Sequence, residues 1–411
     1  MSAGRKTTIA VIFGGRSVEH DVSVVTGQQI MQAFNPAIYD VVPVYIARDG
    51  KWLTGAPLRQ MDTFKDEARL LQNKEIQSVI LSPDTRHHGL ILNPLAGRFS
   101  KSEIVRLDVV FPAIHGSHGE DGTLQGLFEL ADIPYVGFAT LGSALTNDKL
   151  MTKHILRQHN IAVVPEVAFT RADWLDKSDD ILAQIKATLE YPVFVKPATL
   201  GSSIGVGRAD NDELLRYSID IAANFDRRIL VEKAITGGIE INCAVMGYEN
   251  DVETSVLEQP ISWDAFLSYE DKYLRGGDGM KSADRIIPAP LTPQLTTRIQ
   301  KMAADAFKAV DGRGIVRIDF LVKPDSDEVY VNELNTMPGS LAFYLWQAGG
   351  MSPAQLVDKL VQLARTAHAD KRHNVYDYKT NLIAVAAGRG LKGTKSGVKA
   401  FGNGVTKTPV S

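Results

Sequence analysis

The chain has 411 residues, 44% of them hydrophobic, and 45 lysines and arginines against 48 aspartates and glutamates. That length and apolar content fill two or three packed domains, and the near-balance of charge provides no overall field to hold a nucleic-acid backbone. A single cysteine, Cys243, excludes an intrachain disulfide or a cluster of sulfur ligands and favours a reducing, cytoplasmic setting.

In chain order, Arg5 and Lys6 precede the apolar run Ile9 to Phe13, which is too brief for a secretory signal. No stretch approaches the roughly 20 apolar residues of a membrane span, so the protein is expected to be neither exported nor anchored. Thr7 to Phe13 reads as a buried strand ended by Gly14-Gly15, and His20 to Phe34 has helical spacing. Strands at Asp40 to Ile46, Ser78 to Leu81 and Asp108 to Ala113 and a helix at Leu124 to Ala131 complete an alternating, open α/β layer. Pro83 to Lys101 is a polar interruption with no assignment.

A second α/β unit follows from about Asn147. It comprises a helix through Ile155, a strand at Val163 to Phe169, a helix at Asp179 to Leu189, a strand at Pro192 to Val195, a helix at Asn211 to Phe225 and a strand at Ile229 to Val231. Alternation at Ile241, Cys243 and Val245, then Ile315 to Val322 and Glu328 to Val331, predicts a largely antiparallel, α+β-like part covered by a helix at Pro353 to Ala364. The expected division is 1–128, 129–239 and 240–378, with 379–411 as a flexible basic tail rich in glycine and lysine.

Four groups of residues carry chemistry. Arg317 and Asp319 lie on one strand and Glu333 and Asn335 on the next, each pair spaced by two and so sharing a face. Antiparallel pairing would bring Asp319, Glu333 and Asn335 together as hard oxygen ligands, the kind magnesium takes while holding nucleotide phosphates. Taken alone, the same residues are equally a solvated face balanced by arginine. Lys196 ends the apolar run Val193-Phe194-Val195, and Gly201-Ser202-Ser203-Ile204-Gly205 follows it. A buried lysine needs an anion, and a glycine-serine loop offers N–H groups to phosphates, or is a simple hairpin turn. Val231-Glu232-Lys233-Ala234-Ile235 would present Glu232 and the next backbone groups to an adenine edge, with Glu240 near a ribose; glutamates at strand ends are more often structural. His115-Gly116-Ser117-His118-Gly119-Glu120-Asp121-Gly122 follows a strand end, where open α/β sheets bind ligands. His115 reads as well as a packed residue, and no third ligand makes it a zinc site.

With these residues in hand the chain resembles the D-alanine:D-alanine ligase family from about Ile9 to Ala364. Gly14-Gly15-Arg16-Ser17-Val18-Glu19-His20-Asp21-Val22-Ser23, the His115 to Gly122 run, Asn147-Asp148-Lys149, the Lys196 strand and its loop, and Arg317-Ile318-Asp319 with Glu333-Leu334-Asn335-Thr336-Met337-Pro338-Gly339 stand in the family's order. The resemblance implies a three-domain ATP-grasp architecture with ATP as substrate and Mg2+ or Mn2+, in two ions, at Asp319, Glu333 and Asn335. It implies ATP contacts from Lys149, Lys196, Ser203, Glu232, Lys233, Ala234, Ile235 and Glu240, and from Lys272 on a mobile loop. Glu19 would pair with the first D-alanine's ammonium and His115 would lie near its carboxylate. Ser202 and Tyr273 would link to Glu19, while Arg317 and the Gly339 N–H would meet the oxyanion of an acyl transfer.

The resemblance further implies a cytoplasmic homodimer that binds D-alanine and ATP, with no nucleic-acid or membrane partner. Tyr273 favours an amino acid as second substrate, since the D-alanyl-D-lactate ligases carry histidine there. The chain departs from the family after Gly339. A Ser-Leu pair usually takes the second substrate's carboxylate, and Tyr344-Leu345 stands in its place, with Ser340 or the Tyr344 hydroxyl as substitutes. The alternatives are a ligase making another D-alanyl dipeptide such as D-alanyl-D-serine, a non-catalytic nucleotide-binding protein, and a nicotinamide-linked enzyme. The last lacks the three-glycine fingerprint.

Overall fold

The computed structural model describes residues 5–95, 103–261, 284–376 and 380–389, and two compact units meet in sequence at His368/Ala369. In the first unit, β1 (Thr7–Gly14) has no exposed face, Ile9 to Phe13 all being fully buried. That is the signature of a strand with parallel neighbours and cover on both sides. After α1 (His20–Ala33), β2 (Tyr39–Ile46) pairs with it in parallel, Thr7 opposite Tyr39. The turn out of β1 requires glycine. Gly14 has φ of 90°, and a Cβ there would lie 2.3 Å from the Ile46 carbonyl oxygen.

β3 (Trp52–Thr54), α2 (Glu67–Leu71), β4 (Gln77–Leu81), β5 (Gly89–Leu92) and β6 (Glu103–Arg106) follow, and β7 (Val109–Pro112) returns beside β1. The seven-stranded order is β6-β5-β4-β3-β2-β1-β7. Only β2, β1 and β7 are parallel; β3 to β6 form an antiparallel meander. The alternating layer read from the sequence therefore holds for half the sheet. β5 falls inside the stretch left unassigned, because four-residue strands flanked by polar turns carry too little periodicity to read.

α3 (Thr123–Ala131) and α4 (Thr140–Asn147) lead to α5 (Lys149–Gln158), whose N-cap Asp148 accepts from the amides of Leu150 and Met151 at 3.0 and 3.1 Å. β8 (Glu166–Thr170), α6 (Arg171–Thr188), β9 (Val193–Pro197), β10 (Gly207–Ala209), α7 (Asp212–Phe225) and β11 (Arg228–Lys233) build a four-stranded antiparallel sheet in the order β10-β9-β11-β8. α6 starts at Arg171, where Thr170 and Asp173 close a capping box, and breaks at Lys177 (φ −137°, ψ 39°), so the helix expected from Asp179 is its second segment.

β12 (Ile239–Tyr248), β13 (Asp251–Ile261), β14 (Asp284–Ile286), β15 (Arg313–Lys323) and β16 (Glu328–Asn335) form the third sheet, ordered β14-β13-β12-β15-β16 and antiparallel throughout. One face, with Val316, Ile318 and Phe320, shares a core with the helix Pro293–Ala309; Ala244, Met246 and Ile315 from the other face join the core of the first sheet. Along β16 the register skips Asn332: Val331 faces Phe320 and Glu333 faces Asp319. This bulge flips the alternation, so Val329, Val331 and Leu334 are all inside while Glu333 and Asn335 stand on the opposite face.

Beyond β16, Ser340, Leu341 and Ala342 take left-handed φ values of 52°, 48° and 49° in succession before the helix Phe343–Ala348. The helix Pro353–Lys371 follows. In the second unit Leu382–Arg389, which holds the apolar run ahead of the basic tail, is helical; residues beyond 389 lie outside the described ones. Among the described residues no helix is long and apolar enough to cross a membrane.

Candidate active site

One row of side chains crosses four strands of the third sheet. Glu258 is opposite Asn242, Asn242 opposite Asp319, and Asp319 opposite Glu333, with Arg317 opposite Asn335 in the neighbouring row. Directly opposed residues share a face, so the pairing expected from the spacing is present. Arg317 grips Asp319 with a fork, Nε to Oδ1 at 2.6 Å and a terminal nitrogen to Oδ2 at 2.7 Å, and Asn335 Nδ2 donates to Oδ2 at 3.0 Å. Burial pushes the Asp319 carboxyl up. Arg317 pulls it back, Glu333 and Glu258 push again, and the net direction is upward.

Lys196, on β9, reaches Glu232 on β11 at 2.5 Å and Asn332, the bulge residue, at 3.2 Å. Burial lowers its ammonium, and Glu232, Glu333 and Glu240 more than restore it. Glu232 is also paired with Lys153 from α5, which in turn donates to the Val164 carbonyl at 2.9 Å. Burial opposes ionisation of Glu232, but the two lysines win and hold it down at about 2. Lys149 opens α5 directly after the Asp148 cap, and its Nζ donates to the Leu200 carbonyl at 2.6 Å. Burial lowers its ammonium although Glu333 acts to raise it.

The first sheet supplies the facing wall. Glu19 precedes α1 without capping it, and accepts a hydrogen bond from the Ser202 hydroxyl. Gly116 permits the approach, since a Cβ there would sit 2.6 Å from Glu19 Oε2. Glu120 accepts from the amides of Gly116 at 2.7 Å and Met337 at 2.9 Å, tying the loop after β7 to the turn after β16. Burial and the Glu19 charge nonetheless push it up to about 8. His115 is buried, its Nε2 2.9 Å from Thr26 Oγ1, and it also meets the Met337 backbone. Burial lowers it to about 4, so it is neutral at physiological pH. Thr26 Oγ1 in turn accepts from the Ser340 amide at 3.2 Å.

Glu19, Glu120, Lys149, Gly201, Glu333 and Asn335 all line one cleft. Of the other residues singled out in the sequence, Glu240 lies on β12 two positions before Asn242, and its charge acts on Lys196 and Arg317. Ser203 sits in the β9–β10 hairpin with φ of 59°. Lys233 pairs with Glu190 at 3.3 Å, and the amide of Ala234 is taken by Pro192 at 3.0 Å. Ile235 accepts from the Gly238 amide at 3.1 Å. Glu232 does not present its carboxylate outward as an acceptor for a base, because two lysines from other elements occupy it. Leu345 is fully buried in the first sheet's core, and Tyr344 donates to Glu258 at 2.6 Å. Gly339 opens the turn after Pro338, and a Cβ there would meet nothing within 4 Å. Lys272 and Tyr273 lie outside the described residues.

Sequence reasoning included Glu120 in the His115 to Gly122 run without giving it a role, and missed Lys153, Asn332 and Glu258 as members of this constellation. Of these three, Asn332 left a trace, since Val331 and Leu334 have opposite parity and cannot both be inside without an extra residue.

The donor set fits a hard cation. Asp319 and Glu333 face each other with their charges opposed, and the buried Oδ1 of Asn242 has no hydrogen-bond partner among the described residues. Among the described residues no group of three or more histidine, cysteine, aspartate or glutamate side chains is gathered as a metal cage. A magnesium ion takes one or two carboxylates and completes its octahedron with water and phosphate.

Three sheets with a cleft lined by Lys149 and by Glu19, Glu120 and Glu333 have the layout of an ATP-grasp ligase. Solved structures share the architecture. A D-Ala:D-Ser ligase from Enterococcus faecalis is 31% identical with a TM-score of 0.75, covering 88% of this chain and 100% of that one. The D-alanine-D-alanine ligase from Coxiella burnetii is 27% identical with a TM-score of 0.72, covering 93% and 99%.

In sequence, the family models described as D-ala D-ala ligase N-terminus and C-terminus match residues 8–138 and 155–362. D-alanine–D-alanine ligases from Natranaerobius thermophilus and Thermosipho africanus are 38% and 39% identical, each match covering 91% of this chain and 99% and 98% of the relative. The chain belongs to the D-alanine–D-alanine ligase family, whose members are ADP-forming and use ATP with a divalent metal ion.

Proposed function

We propose that the protein joins two D-alanines into D-alanyl-D-alanine for peptidoglycan, through an acyl phosphate. The observation that carries this reading is the carboxylate pair Asp319–Glu333, in direct cross-strand register and sharing its surroundings with Lys149 and Lys196. In the first step a carboxylate oxygen of one D-alanine attacks the γ-phosphorus of ATP and ADP departs. In the second, the amine nitrogen of the other D-alanine attacks the acyl carbon, loses a proton, and phosphate departs.

Lys149 and Lys196 would hold the phosphates. Glu19, with Glu120 beside it, would hold the first ammonium, the charge that best suits two neighbouring carboxylates. Arg317 and the Gly339 amide would stabilise the oxyanion of the tetrahedral stage. A divalent ion at Asp319, Glu333 and Asn335, Mg2+ or Mn2+ and two ions in all, would neutralise the transferring phosphoryl group when bound. Backbone groups of Lys233 to Ile235 would meet adenine, and Glu240 the ribose. The three separate sheets support a division near residues 128, 239 and 378. The lone buried cysteine and the need for ATP support a cytoplasmic site; the homodimer rests on family resemblance, and light scattering tests it.

Coupled phosphate release, with a panel of D-alanine, D-serine and L-amino acids as acceptors, tests the reaction. D-Alanine alone should sustain turnover; a lack of amine-dependent ATP turnover would point instead to a non-catalytic nucleotide-binding protein. A second reading, D-alanyl-D-serine synthesis, is favoured by the likeness to the Enterococcus D-Ala:D-Ser ligase and by Tyr344 in the acceptor-side position. It prevails if D-serine is the better acceptor at equal D-alanine.

A further inference from the structure

Tyr344 stands where a serine hydroxyl would be expected to meet the second substrate's carboxylate. A phenol has one proton to donate, and Tyr344 gives it to Glu258 Oε2 at 2.6 Å. Glu258 is itself only 2% exposed, and accepts from Asn242 Nδ2 at 3.3 Å as well. Tyr344 therefore cannot serve a substrate carboxylate without leaving a buried glutamate. A different donor lies beside it. The guanidinium carbon of Arg285 stands 4.2 Å from the centre of the Tyr344 ring, and a terminal nitrogen of Arg285 is 3.4 Å from Glu258 Oε1. Stacking and ion pairing fix the plane of that guanidinium.

The approach to Glu258, 3.4 Å, is too long for a tight fork, and a guanidinium has five donors. The Arg285 side chain is 32% exposed among the described residues, which leaves part of it accessible to a ligand. The Tyr344 phenol feels the charge of Arg285 and also that of Arg317. Arg285 is opposite Pro260, two residues along from Glu258, so it stands on the face of the third sheet that carries Glu258, Asp319 and Arg317. An α-amino acid whose nitrogen attacks beside Arg317 would carry its carboxylate toward Arg285.

We propose that Arg285 binds the carboxylate of the amine-donating substrate, with Tyr344 and Glu258 as positioning residues that aim it. This rests on the ligase reading above. The chemical class it selects is an acceptor with a free carboxylate next to its amine.

The experiment compares D-alanine with D-alaninamide as acceptor, using phosphate release, in the wild type and in Arg285→Ala, Arg285→Lys and Tyr344→Phe. Hydroxylamine, an acceptor with no carboxylate, is run alongside as a trap for the acyl phosphate. Wild type should prefer the acid to the amide by about tenfold to a hundredfold in acceptor KM, the range of a charged hydrogen-bonded pair. In Arg285→Ala that preference should vanish through a higher KM for D-alanine, while hydroxamate still forms. Arg285→Lys should recover part of it, and Tyr344→Phe should lose about threefold to tenfold. Retention of the full acid preference in Arg285→Ala, or an equal fall with both acceptors, overturns the assignment. Wild-type protein that turns over ATP with neither D-alanine nor hydroxylamine overturns the ligase reading, and this inference with it.

Discussion

Glu232 and Asp319 are equally buried, each 2% exposed, yet their carboxyls are displaced in opposite directions. Glu232 sits between Lys153 and Lys196 and is held at about 2. Asp319 has one arginine, but Glu333 and Glu258 share its surroundings, and the balance leaves it raised. Burial alone does not tell the two apart; the count of nearby cations does. Glu232 finds its counter-charge within the fold, while Lys196 also reaches Asn332 and feels Glu333 and Glu240 on the side where the phosphates would lie. Around Asp319 three carboxylates, Asp319, Glu333 and Glu258, share one face of the sheet, and a cation seated between Asp319 and Glu333 would relieve their repulsion.

The strongest test of this contrast is Asp319→Ala or Glu333→Ala. Each should cut phosphate-release turnover by at least about a thousandfold, and in Glu333→Ala, which leaves the Arg317–Asp319 fork intact, the melting temperature should move little; turnover within tenfold of wild type would erase the distinction. Glu232→Gln should do the reverse to stability, costing about 3 to 5 kcal/mol in denaturant unfolding, since two buried lysines lose their counter-ion. Acid separates the networks further. The Glu232 carboxyl is lower in the native state than its ordinary 4.5, so the unfolded chain takes up the proton first. Its stabilisation is complete above about 4.5 and drains away as pH falls toward about 2, and a pH series of melts should show that slope in wild type but not in Glu232→Gln. Asp319, displaced upward, runs with the opposite sign: its ionisation weakens the native state as pH rises. The smallest effect belongs to Asn332→Ala, which removes one partner of Lys196 and should cost about 1 kcal/mol in the same unfolding assay.

How much of this was legible beforehand follows the same division. The Arg317-x-Asp319 and Glu333-x-Asn335 spacings state their shared face outright, because side chains alternate along a strand, and the observed register agrees. The Glu232 network was not legible. Lys153 comes from a helix and Lys196 from a strand, and nothing in Val231-Glu232-Lys233 reveals that both will converge on that glutamate. Glu232 was accordingly read as an outward acceptor. The antiparallel half of the first sheet escaped for another reason: β3, β5 and β6 have three or four residues each, below the length at which a period of two stands out from turns. The Asn332 bulge was present as a contradiction in parity, and parity is the kind of signal that one sequence does carry.

Ser340, Leu341 and Ala342, shortly after the cleft-lining Thr336, bend left-handed in a row, a conformation that side chains resist by about 1 to 3 kcal/mol apiece. Leu341 and Ala342, sunk in the core, and the threonine latch on the Ser340 amide keep this spring wound. A wound spring lets go before the frame around it collapses. Gentle warming should therefore silence the catalyst while its sheets still stand, and the enzyme would fail first by forgetting its task and only later by losing its shape.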